Sequence, residues 1–150
     1  MVKPSFVHRL TKVLVDVMYY GGMLCCAALP FVMPYFARFF AYRRETVLPL
    51  TLILLASGIS ALYILRQLKA IFKTLVGGDP FVSENVTCLR KCAVASMAIA
   101  LLFLGKLTFW FTVASAIIVI IFALLGLFSL TLKDVFKQAI AYKEENDWTV

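Results

Sequence analysis

The chain has 150 residues, of which 63% are hydrophobic and 15% charged, well below the roughly 25% charge of a soluble domain. A net charge of +7 raises nucleic acid as a partner, but the basic residues stand singly or in pairs beside apolar runs and never form a long basic block. In that setting Lys and Arg meet lipid phosphates, so direct nucleic-acid binding is excluded and one integral membrane domain over residues 1–150 is expected.

At the N-terminus Lys3, Arg9 and Lys12 precede an apolar stretch from Val13 to Tyr35. It is too long for the apolar region of a signal peptide, and Cys25-Cys26-Ala27-Ala28 makes a poor cleavage site. It is read as a retained first span, about 13–36, with Pro30 and Pro34 kinking its outer end. Asp16 is the only acid inside an expected span. A carboxylate at the bilayer centre costs about 3 kcal/mol, which usually signals ion or proton coupling. Asp16, however, lies about one turn in from the edge and four residues after Lys12, within reach of an i, i+4 pair and of water. The structural reading is therefore preferred.

A second span, about 47–65, carries no charge, and Pro49 suits its first turn. From Cys92 to Leu132 the only charged side chain is Lys106. At about 1.5 Å per residue, that run is too long for one crossing of a hydrocarbon core about 30 Å thick. Two crossings joined by a short turn fit it, about 92–105 and 111–132. The turn falls within Gly105–Phe111, and Trp110 is an interface anchor.

Eleven Lys and Arg residues fall in the N-tail, the middle loop and the C-tail, against four in the opposite loops. The positive-inside rule then places both termini and the middle loop in the cytoplasm. The expected fold is all-α: a bundle of four transmembrane helices with amphipathic cytoplasmic extensions, a cytoplasmic hairpin at 66–91 and a C-terminal helix and tail at 133–150. The extensions show in Leu68, Ile71, Phe72 and Leu75; in Val82, Val86, Leu89 and Ala93; and in Leu132, Val135, Phe136, Ala139 and Ile140. Each repeats at helical spacing, too polar for lipid and too apolar for open water. They either pack on one another or lie in the headgroups. Between the first two, Gly77-Gly78-Asp79-Pro80 stops one helix and starts a turn, and Ser83 or Asn85 is placed to cap the next.

Four cysteines include Cys88 and Cys92 at i, i+4, but His8 is the only histidine. Half a zinc site without partners reads as inert buried thiols, so no metal is expected. Gly22-x-x-x-Cys26, Ser57-x-x-x-Ala61 and Ser96-x-x-x-Ala100 allow close helix approach, most simply inside the chain, with a homodimer as the alternative. Neither a nucleophile elbow nor a phosphate-binding glycine loop is present, and no enzyme activity or cofactor is expected.

Gly78-Asp79-Pro80-Phe81, Asn85-Val86 and Leu89-Arg90-Lys91 resemble the middle-loop signature of a bacterial membrane family, the domain of unknown function 2975. The ending Glu144-Glu145-Asn146-Asp147-Trp148-Thr149-Val150 resembles that family's closing motif, with Trp148 where relatives usually carry Leu. The third-to-fourth connection looks shorter than in many relatives. The resemblance implies a bacterial cytoplasmic membrane protein, one whose relatives are often encoded beside a small helix-turn-helix regulator. It adds weight to Asp79, Pro80, Phe81, Asn85, Glu144, Glu145, Asn146 and Asp147 as a docking surface for a small cytosolic transcription regulator. By their residues alone, the terminal acids are either a solvated tail after the helix has ended or a docking strip, since acids at a helix C-terminus oppose its dipole. The leading reading is a regulatory or scaffolding protein that holds a cytosolic partner at the membrane. The alternative is a subunit of a small-solute transporter or an oligomeric carrier.

Overall fold

The computed structural model describes residues 6–39 and 43–149, with side chains from Arg9 onward except that of Arg44. Lys3 and Val150, and the side chains of His8 and Arg44, lie outside the described residues. The described residues form four helices: α1 (Phe6–Phe39), α2 (Arg44–Val76), α3 (Ser83–Phe109) and α4 (Val113–Trp148). All four are long and apolar enough to cross a membrane. The architecture is all-α and that of a multi-pass membrane protein.

Length follows from composition. α4 has 36 residues, about 54 Å at 1.5 Å each, against about 30 Å of hydrocarbon. Laid along the bilayer normal, such a helix leaves roughly 16 residues outside the hydrocarbon. α1 continues past Pro30 and Pro34 to Phe39. α2 begins at Arg44, so Pro49 sits in its second turn rather than its first. There it withholds the N–H that the Glu45 carbonyl would otherwise accept. α3 and α4 are joined by Trp110–Thr112, with the Trp110 N–H closing on the Lys106 carbonyl at 2.8 Å and the Ala116 N–H on the Thr112 carbonyl at 3.1 Å.

The helices do not close into the expected bundle. Among the described residues α1 packs on α2, α2 on α3 and α3 on α4, and no other pair of helices meets. The result is a row in chain order. α3 lies inside that row, and most of the core is its own: Cys88, Leu89, Cys92, Ala93, Ser96, Ile99, Ala100 and Phe103 are buried. Leu24, Phe31, Leu48, Leu101 and Leu124 are exposed, which suits lipid contact, because acyl chains are as apolar as leucine.

Small residues set two of the three seams. A Cβ added at Gly58 would stand 2.5 Å from Cys26 Sγ, and one added at Gly126 would stand 3.1 Å from the Met97 side chain. Ser96 and Ala100 are buried in α3, and Ser57 is buried in α2. The small residues thus serve seams inside this chain.

Candidate functional site

The hairpin between α2 and α3 is built by local chemistry. Gly77 caps α2, its N–H bonding to the Lys73 carbonyl at 3.1 Å, and the Gly78 N–H reaches the Leu75 carbonyl at 3.4 Å. Gly78 has φ +90°, a conformation that strains residues carrying a Cβ. Asp79 and Pro80 then turn the chain, since proline cannot continue the ladder.

Asn85 does not cap α3. Val82 is the N-cap residue, without a side-chain cap bond. Asn85 is 0% exposed. Its Nδ2 donates to the Pro80 carbonyl at 2.7 Å and to Thr74 Oγ1 at 2.7 Å. The Thr74 hydroxyl in turn donates to the Ile71 carbonyl at 2.8 Å. A buried amide is costly unless bonded, and here one side chain ties the end of α2, the turn and the start of α3 together.

The hairpin then leans on α4. The Phe81 ring meets Phe136 with centroids 5.3 Å apart, inside the range of a favourable aromatic pair. Lys143 Nζ donates to Asp79 Oδ2 at 2.8 Å. The hydrogen bond to Asp79 raises the Lys143 pKa above its ordinary value, and the charge on Asp147 pushes the same way. Phe136 and Lys143 are seven residues apart, hence on one face of α4. Neither was picked out as a partner of the loop from sequence, nor was Thr74; the i, i+7 spacing was the available signal.

α4 does not stop at its last apolar repeat. It runs on through Glu144, Glu145, Asn146 and Asp147 to Trp148, with the Thr149 N–H on the Asn146 carbonyl at 3.3 Å. The reading of these acids as a tail beyond the helix is therefore corrected: they form its last turns. All four are exposed, and Trp148 is 90% exposed beside them. Of the expected docking residues, the structure brings Asp79, Pro80, Phe81 and Asn85 together at the hairpin. Lys143 links that hairpin to the helical turn from which the acids project. Phe81 keeps 41% exposure, so its burial is partial.

Elsewhere, Asp16 pairs across the α1–α2 seam rather than with Lys12. Lys69 Nζ lies 2.5 Å from its Oδ1 as an ion pair. The same ammonium stands 5.1 Å and 5.4 Å from the ring centroids of Tyr19 and Tyr20, within cation–π range. At the other end of the helices, Lys106 Nζ donates to the buried Ser115 Oγ at 2.7 Å. Cys88 and Cys92 are buried free thiols, with Cys92 Sγ 3.9 Å from the Ile64 carbonyl.

A family model described as "Protein of unknown function (DUF2975)" matches residues 39–150. The chain belongs to this family. The match begins at the last residue of α1 and takes in α2, the hairpin, α3 and α4. Searches among curated proteins and among solved structures give no match. The candidate site lies wholly within the DUF2975 region.

Proposed function

We propose that this DUF2975 protein is a membrane-held docking platform. Its hairpin end faces the cytoplasm and presents the last two turns of α4 to a cytosolic partner with a basic surface. The observation that carries this reading is the form of α4 beyond the hydrocarbon. The helix remains intact to Trp148, is anchored to the hairpin through Phe81–Phe136 and Asp79–Lys143, and projects exposed acids beside an exposed indole. Acids in a final helical turn oppose the dipole by about 0.3–1 kcal/mol, so the macrodipole does not explain them. Charge complementarity to a partner does, and an exposed tryptophan is a frequent anchor in protein interfaces. A small helix-turn-helix regulator has the basic surface required and is the partner that the family resemblance suggests.

The test is crosslinking in native membranes, comparing the full chain with Glu144→Lys/Glu145→Lys/Asp147→Lys and with a chain lacking residues 144–150. The partner is expected to be captured by the full chain and lost from both variants, while each variant stays in the membrane at normal abundance. Loss of the truncated protein from the membrane would make the last turns a folding element and remove the docking reading. Undiminished capture by the charge-reversed variant would do the same.

A further inference from the structure

At the same end of the row, α1 and α2 enclose a crevice of about 400 Å³ lined by Lys12 and Val15 from α1 and by Lys69, Ala70, Phe72, Lys73 and Val76 from α2. Its floor is apolar, with Val15 buried and Phe72 half-buried. Three lysines line it. The titratable groups that line it are Lys12 on α1 and Lys69 and Lys73 on α2, and the Lys69 ammonium stands against Asp16, Tyr19 and Tyr20. Asp16 is paired with Lys69. Among the described residues no salt bridge engages Lys12 or Lys73, so two of the lining lysines carry no paired carboxylate.

We infer that this crevice is a binding site for one anionic phospholipid, its headgroup phosphate held between Lys12 and Lys73 and an acyl chain lying on Val15, Phe72 and Val76. Charge complementarity and depth select this occupant. Lys12 immediately precedes the first apolar span, and Lys69 and Lys73 follow the second by one to two turns, which is headgroup level for lysines reaching out of lipid. A soluble anion would leave the apolar floor unfilled, and a neutral lipid would leave both lysine charges without a counter-charge. Bound there, the lipid bridges α1 to α2, one of the two outer seams of the row.

The test uses the full chain in detergent micelles, titrated with phosphatidylglycerol, phosphatidylcholine or glycerol phosphate and read by native mass spectrometry. Phosphatidylglycerol should be retained in preference to phosphatidylcholine, and glycerol phosphate should not displace it. Lys12→Gln/Lys73→Gln should weaken retention about 30-fold, taking about fivefold for each lysine at a lipid surface. Lys12→Arg/Lys73→Arg should preserve it. The single Gln variants, at about fivefold each, keep the measurement decisive if the double variant fails to fold. Lys91→Gln/Lys137→Gln removes the same charge from exposed positions outside the crevice and should change nothing. An equal loss in that control would reduce the effect to net charge. Displacement by glycerol phosphate would make this a soluble-anion site, and equal retention of phosphatidylcholine would leave only an apolar crevice. Each of these results overturns the inference.

Discussion

Removal of the Asn85 side chain should open the hairpin without removing the helices from the membrane. The amide makes two donated bonds of 2.7 Å from a position with no exposure. Each such bond contributes about 1–1.5 kcal/mol net. Asn85→Ala loses both and leaves a small void. The groups left behind are not badly stranded, since Thr74 still donates to Ile71 and the Pro80 carbonyl sits at a half-exposed turn. The expected cost is therefore about 2–3 kcal/mol, the two lost bonds with little added for stranded groups. Limited proteolysis in detergent at Lys73, Arg90 and Lys91, which flank the turn, measures the opening directly. About 2–3 kcal/mol corresponds to cleavage accelerated roughly 30- to 150-fold when opening is fast relative to cutting. Thr74→Val should cost less, and in combination with Asn85→Ala the two should be less than additive, because they share one bond. Cleavage of Asn85→Ala at the wild-type rate, or strict additivity with Thr74→Val, would refute the assignment of Asn85 as the tie between α2, the turn and α3.

Phe81→Ala should weaken docking of the hairpin on α4 by about 1.5–3 kcal/mol, less than truncation of a fully buried aromatic. The checks are the same proteolysis and the failure of Phe136→Ala to add to it. Gly58→Ala should lower thermal stability in detergent by about 1–3 kcal/mol through overpacking against Cys26. Cys26→Ala should restore most of that loss; an unaffected single variant would show that the α1–α2 seam is looser than the 2.5 Å approach requires. On a cysteine-free background, single cysteines at Arg43 and Phe111 should react with an impermeant thiol reagent in intact cells, and cysteines at Asp79 and Glu145 only after lysis. The opposite pattern would reverse the orientation and with it the proposed docking face.

The number of helices was legible in sequence because hydrocarbon tolerates few charges and demands a minimum length. The runs around Asp16, Val47–Leu65 and Lys106 leave little choice. The turn at Gly77–Pro80 was equally legible, since glycine at φ +90° and proline act through their own backbones. The end of α4 within 133–150 was left open by the sequence, because acids at a helix C-terminus fit either a tail or a last helical turn. A dipole penalty of tenths of a kcal/mol is outweighed by the good helix propensities of Ala141, Lys143, Glu144 and Glu145.

What only the tertiary structure decided is which distant residues meet. Lys12 is the sequence neighbour of Asp16, yet Lys69 is its partner, because the packing of α1 on α2 brings Lys69 across the seam from it. Asn85 had the local signature of a cap, but burial against Thr74 and Pro80 offered its amide better-shielded bonds than the helix end. The open row in place of a closed bundle lay beyond any periodicity. Lipid solvates an apolar face as well as another helix does, so hydrophobic pattern alone places no constraint on which helices pack together. Where packing was decided, contact between small residues such as Gly126 and long ones such as Met97 decided it.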